Sequence, residues 1–262
     1  MFFPFTWKNI VLAAAGIYSN IKTSSSQHLL LTAINGGYVK MYDVWNARLN
    51  ELGMKHLLVK FGRFEINSHY QIQYNVNITK EPTTFRQRDF NIISHLKIEI
   101  VFKLMVTFPE IKYFWFSDCD IYFIRDPYPI LSFSGDYEFM QNSLHGDWKP
   151  FNESNTGFYI IKNSINTKKL LKNVLIYSKK FPKIDDQTNF WNYLKKTSSN
   201  LKFLPMHHTL ISNGRQTLDC KNQYVYHCNF MTGMSAKLHR FLSIQKKCKY
   251  KKYYKYRINS TH

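Results

Sequence analysis

The sequence predicts one α/β domain built around a mainly parallel sheet. Three observations predict it. An apolar run, a helical stretch and a second apolar run follow one another between residues 29 and 60, which is the order of a parallel βαβ unit. A longer amphipathic stretch at 90–108 then leads into another apolar run at 113–116. The composition, 44% hydrophobic and 17% aromatic over 262 residues, supplies a core for a single large domain and argues against a disordered chain.

Residues 29–34 (LLLTAI) read as a buried strand that ends in Asn35-Gly36-Gly37, a loop with backbone freedom. Residues 39–52 carry helical spacing, with Tyr42, Trp45, Leu49 and Leu52 on one face and Gly53 as the stop. Residues 56–60 form the second strand. The polar stretch 62–84 reads as a variable loop with one short strand. At 90–108 the helical period places Ile93, Leu96, Ile100 and Leu104 near one face, and Pro109 ends the helix. The third strand, 113–116, delivers Ser117-Asp118-Cys119-Asp120. Residues 121–124 continue extended until Arg125-Asp126-Pro127-Tyr128-Pro129 breaks the chain. Strands follow at 137–141 and 157–161, and helices at 167–181 and 187–196. Beyond 201 the pattern gives short strands and then a basic, aromatic tail at 246–257. With no repeat and no linker in view, the division is an N-terminal segment 1–28, a domain 29–242 and a tail 243–262. The first 18 residues are apolar but broken by Pro4 and Lys8, and the clean run 10–17 falls short of the roughly 18 residues that span a bilayer. This segment reads as a degenerate signal, a docking strand or the remnant of an anchor.

The formal charge of +19 attracts nucleotides, nucleic acids and acidic lipid surfaces, or else reflects a compositional excess that is simply solvated. The four cysteines, Cys119, Cys220, Cys228 and Cys248, lack the C-x-x-C spacing of structural zinc. In an oxidising lumen a Cys220–Cys228 bridge is one choice among three pairings, and the sequence does not select it. Sequons at Asn77, Asn152 and Asn259 permit N-glycosylation.

Four constellations carry chemistry. Asp118 and Asp120, two apart on an extended segment, point to one face. Such carboxylates repel unless a cation sits between them, and a divalent ion that keeps substrate phosphates in its shell suits them. Their place after an apolar strand is where ligands bind in open α/β sheets. Asn155-Thr156-Gly157-Phe158 offers hydroxyl-binding groups and close backbone approach, or is an ordinary turn into a strand. Asp185-Asp186-Gln187 heads an amphipathic stretch, either as a helix cap or as carboxylates facing sugar hydroxyls and the anomeric carbon. His227, in Tyr226-His227-Cys228-Asn229, is a structural histidine or a third ligand to the same metal. Gly233 and Lys237 follow it, the lysine placed to neutralise a diphosphate.

WFSDCDIYFIRDPYP, NTGFYIIKNS, DDQTNFWN and YVYHCNFMTGMSAK, in that order and spacing, resemble the nucleotide-diphospho-sugar transferase family, which is related to glycosyltransferase family 77. The stretch LTAINGGYVKMYDVWNARLNELGMKHLLV is similar to that family's opening strand, helix and strand. Family 34 glycosyltransferases are a more distant match. The resemblance implies a single GT-A type, Rossmann-like domain with a mixed, mainly parallel central sheet flanked by helices. It implies an enzyme that moves a hexose or pentose from a nucleotide-diphosphate donor to an acceptor hydroxyl of a glycan or glycoprotein, with retention of configuration. It assigns Asp118, Asp120 and His227 to the metal, with Asp118 closer to the donor ribose or sugar. Asp186 and Gln187, with Asp118, fall at the reacting centre. Thr32 and Asn35 fall at the base and ribose, Asn155, Thr156 and Gly157 at the donor sugar, and Gly233 and Lys237 beside the diphosphate. Carboxylate and imidazole together favour Mn²⁺, with Mg²⁺ as a substitute. Cys119 stands where the family usually carries a small or aliphatic residue. The implied location is a Golgi or ER lumen, with the cytoplasm as the other choice and the basic tail as a contact for a membrane surface. Three rival readings compete: a non-catalytic binder of sugar nucleotides or glycans with the same fold, a basic nucleic-acid-binding protein using the tail, and a metal-dependent phosphodiesterase.

Overall fold

The computed structural model of the protein describes residues 27–83, 88–142, 153–197 and 200–258, with only the backbone for 249–258. Its centre is a seven-stranded sheet in the order β3-β2-β1-β4-β7-β6-β8. The strands are β1 (His28–Asn35), β2 (Leu57–Phe61), β3 (Gln71–Tyr74), β4 (Tyr113–Ser117), β6 (Tyr137–Gln141), β7 (Ser154–Lys162) and β8 (Phe203–Pro205). β7 alone runs against its neighbours, antiparallel to β4 and to β6; every other pairing in this sheet is parallel. The sheet is therefore mixed and mainly parallel. A small sheet, β5 (Ile121–Phe123), β10 (Val225–His227) and β9 (Ile211–Ser212), stands at its carboxyl edge.

Apolar side chains on both faces explain why the central strands read as continuous hydrophobic runs. Phe114 and Phe116 pack into one core cluster, while Tyr113 and Trp115 pack into the other. Trp115, Phe114 and Phe116 are fully buried, each stabilising the fold by roughly 2–3 kcal/mol. α1 (Val39–Glu51) lays Met41, Tyr42, Trp45 and Leu49 on one cluster and stops where Gly53 takes φ 69°, a conformation that costs other residues a Cβ clash. α2 (Arg88–Thr107) buries Ile98, Val101, Leu104 and Met105 against the other. Asn91 and Ser94 are buried with them: the Asn91 amide donates to Lys183 O at 2.8 Å, and Ser94 Oγ is 3.4 Å from Asp186 N. These polar positions on an apolar face hold the chain where the helix Asp186–Lys196 begins. α3 (Ile165–Lys180) opens with a capping box of Ser164 and Thr167, and α4 (Asp186–Lys196) has Asp185 as its N-cap.

Three expectations change. The 155–157 segment is not a turn leading into a strand: β7 begins at Ser154, because its pairing with β4 and β6 extends past the apolar stretch into polar residues. The disulfide joins Cys220 to Cys248, not to Cys228. Cys228 follows β10 directly, with its thiol inside an apolar cluster, while α5 (Met234–Ile258) runs back past the loop that carries Cys220. The basic stretch 246–257 continues that helix, and Leu242 lies within it between the buried Phe241 and Ile244. Among the described residues no helix is long and apolar enough to cross a membrane. Residues 1–26 lie outside the described residues, as do the sequons at Asn152 and Asn259; Asn77 is exposed.

Candidate active site at the carboxyl edge of the sheet

The reversed strand builds the first half of the site. Because β7 opposes β4, its first residues lie beside the last residues of β4. Ser117 pairs with Phe158, and Asp118 N donates to Gly157 O at 2.7 Å. A Cβ on Gly157 would stand 2.6 Å from Asp118 Oδ2, 2.8 Å from His227 Cε1 and 2.9 Å from Asn155 Oδ1, inside van der Waals contact with all three. Glycine is needed here for space, since the backbone at this position does not demand it. Asn155 Oδ1 accepts from Gly157 N at 2.8 Å, which fixes the amide at the head of the strand.

The small sheet builds the second half. β10 opposes β5 with His227 paired to Ile121, and Cys228 N donates to Asp120 O at 2.9 Å. That register carries the imidazole to the acidic pair. His227 Nε2 lies 3.0 Å from Asp120 Oδ1, and Lys237, one turn into α5, donates to Asp120 Oδ2 at 2.6 Å. Burial alone would raise the Asp120 carboxyl, but the Lys237 ammonium and the His227 imidazole outweigh it and hold the group well below the usual carboxylate range.

On the opposite side Lys97, from the middle of α2, donates to both oxygens of Asp118 at 3.0 and 3.2 Å. Burial pushes the Asp118 carboxyl above its ordinary value although Lys97 pulls the other way. The Lys97 ammonium is itself held above its ordinary value: burial opposes its charge, but Asp118 and then Asp186 overcome that. Asp185 and Asp186 divide the two roles read from the sequence. Asp185 caps α4 by accepting from Thr188 N at 2.9 Å, while Asp186 is buried and its Oδ2 has no hydrogen-bond partner among the described residues.

These side chains converge on a cleft of about 590 Å³. Asn35, Asp118, Asp120, Asn155, Thr156, Gly157, Asp186, Gln187, His227, Gly233 and Lys237 line it, as the sequence expects of a common site. Thr32 does not: it lies within β1, three positions before the strand's end at Asn35, fully buried. The sequence reading also passed over Lys97, which sits among so many lysines that no local pattern marks it. It passed over the 79–83 loop as well. Asn35 donates its amide to Thr79 O and Glu81 O, each at 3.0 Å, and Pro82 and Thr83 form part of the cleft wall. Cys119 packs into the apolar cluster beneath, and burial, with the two flanking carboxylates, keeps its thiol protonated, so it behaves as a small hydrophobe. Asp118, Asp120 and His227 can each offer one atom with all three within 4.8 Å of one another. Carboxylate and imidazole donors at that spacing fit a divalent cation.

A search of curated proteins finds no match. Among solved structures, a glycosyltransferase involved in the glycosylation of the major capsid of PBCV-1 superposes with a TM-score of 0.53 at 12% identity, covering 83% of this chain and 98% of that one. The apo form of the glycosyltransferase GlyE from Streptococcus pneumoniae TIGR4 gives 0.51 at 11% identity, over 87% of this chain and 64% of that one. At these identities the likeness shows the fold, that of a GT-A glycosyltransferase in a single α/β domain. The sequence model for nucleotide-diphospho-sugar transferases matches residues 56–241, from the second strand of the sheet through His227 and Lys237. The chain thus belongs to the nucleotide-diphospho-sugar transferase family.

Proposed function

We propose that the protein transfers a hexose or pentose from a nucleotide-diphosphate donor to an acceptor hydroxyl, with a divalent cation at Asp118, Asp120 and His227 and with retention of anomeric configuration. The observation that carries this reading is the convergence of those three side chains with Lys237 at the end of β4. When bound, the cation supplies Lewis-acid stabilisation of the diphosphate that leaves. Lys237, a partly buried side chain, adds a positive charge on the same side. Asn155 and the backbone at Gly157 orient donor hydroxyls. Asp186, with a buried oxygen free to accept, and Gln187 face the anomeric carbon. Lys97 holds Asp118 in position from below. Mn²⁺ suits the mixed donor set and Mg²⁺ substitutes less well.

The acceptor is a glycan or glycoprotein. The bridge between Cys220 and Cys248 supports an oxidising compartment, the lumen of the Golgi or ER. α5 contains no acidic residue along its 25 positions, and its basic end is suited to an anionic membrane surface. Thermal shifts with a panel of nucleoside diphosphates, with and without Mn²⁺, test the central reading. A ligand that binds only the native state raises its melting temperature by mass action, so one nucleotide should stabilise the protein only when Mn²⁺ is present. Stabilisation by none of them, or equal stabilisation with a chelator, would count against it.

A further inference from the structure

Two exposed side chains stand on the rim of the cleft, and nothing in the donor chemistry above uses them. Phe230, in the loop between β10 and α5, is 46% exposed and holds φ at 60°. That left-handed conformation is disfavoured for a residue with a Cβ, and strain of this kind persists where surrounding structure enforces it. Arg215, in the loop after β9, places its guanidinium carbon 3.9 Å from the centre of the Phe230 ring. Among the described residues Arg215 makes no ion pair. Both line the cleft that holds the acidic pair.

Their loops are locked to each other through the residues just before them. Gly214 N donates to Asn229 Oδ1 at 2.7 Å, and a Cβ on Gly214 would lie 2.2 Å from Asn229 O. Arg215 N donates to Asn213 Oδ1 at 3.0 Å. The pair is thus set in place before any ligand arrives, which lowers the ordering cost of binding. With its guanidinium carbon over the ring and no ion pair among the described residues, Arg215 has N–H groups to offer in paired bonds to a carboxylate, sulfate or phosphate. The uncovered part of the ring offers an apolar surface beside them.

We propose that Arg215 and Phe230 form the acceptor subsite, and that the acceptor is an anionic glycan carrying a carboxylate, sulfate or phosphate next to the sugar that receives the transfer. This rests on the transferase reading. Calorimetric titration of the full chain with four disaccharides tests it. Three end in glucuronate, a 6-sulfated glucose or a 6-phosphorylated glucose, and the fourth ends in plain glucose. At least one anionic probe should bind about tenfold more tightly than the neutral one, roughly the 1.4 kcal/mol of one charge-assisted contact; the winner identifies the anion. Arg215→Gln should erase that preference, and Arg215→Lys should restore only part of it. Phe230→Gly should weaken all four probes while melting no lower than wild type, because glycine relieves the backbone at φ 60°. Equal binding of neutral and anionic probes by a wild type that still responds to Mn²⁺ and nucleoside diphosphate overturns the proposal and leaves the transferase reading standing. A loss of the nucleotide response in Arg215→Gln also overturns it, by giving the rim to the donor. A wild type with no nucleotide response overturns both readings.

Discussion

On the wall of the cleft built by α2 and α4, one ammonium, Lys97, faces two carboxylates, Asp118 and Asp186. On the wall built by β10 and α5, one carboxylate, Asp120, faces an ammonium and an imidazole. The two aspartates are two residues apart in one loop, yet their carboxyls move in opposite directions, Asp118 upward and Asp120 downward. The difference teaches that the acidic pair is not a pair of equivalents. The acid-rich wall suits hydroxyls and the positive charge that develops on a sugar, while the base-rich wall suits a diphosphate.

The largest expected effect comes from the base-rich wall. Asp120→Ala leaves Lys237 and His227 without their carboxylate and should lower kcat/KM for transfer by about 10³-fold or more; near-normal turnover would mean that the walls do not divide the work as described. Next, Lys97→Met strips the acid-rich wall of its cation. It should cost about 3 to 4 kcal/mol of stability without metal, read by denaturant melts, and Mn²⁺ should return part of it. Lys237→Met should cost less, since Asp120 keeps His227, and equal losses would break the comparison. A third region shows what happens when burial has no counter-charge. His56 packs edge-on against Trp45 and lies 2.8 Å from the Tyr42 hydroxyl, and burial lowers it to about 4 from 6.5. The unfolded chain takes up a proton between those values that the native state refuses. Stability is therefore full above pH 6.5 and falls by about 3 kcal/mol as pH drops to 4. His56→Gln should flatten that slope in melts taken from pH 7 to pH 4. The smallest expected effect is that of Gly157→Ala, whose methyl would press on both Asp118 and His227 and should slow turnover about a hundredfold by misplacing them, with the sheet's circular dichroism unchanged.

Much of the base-rich wall was legible because its parts are local motifs. Asp118-Cys119-Asp120 follows an apolar strand, and His227 and Lys237 sit in one short run. The acid-rich wall was legible at its carboxylates, Asp118 and Asp186, but not at its cation. Lys97 is one lysine on a long helix, and only the packing of α2 over β4 shows that it reaches Asp118. Helices and most strands followed from period and punctuation. The start of β7 did not, since its polar residues are extended only because β4 and β6 lie on either side. The Cys220–Cys248 bridge depends on where α5 folds back, a long-range fact that spacing does not carry. The 62–83 stretch has no period, because it is ordered by distant partners: residues 71–74 pair with β2, and residues 79–83 are held by Asn35 and Tyr38.

Asp120 meets His227 across 107 positions of chain and Lys237 across 117. Contacts of this kind exist only while the elements that carry them stay docked, so these two depend on β10 and α5 holding their places. α5 swings one of those contacts into place, and the bridge at Cys248 is the tether that limits its escape. Heat or a reductant should therefore silence this enzyme while its seven strands are still assembled, so that the activity lost on warming runs ahead of the melting curve.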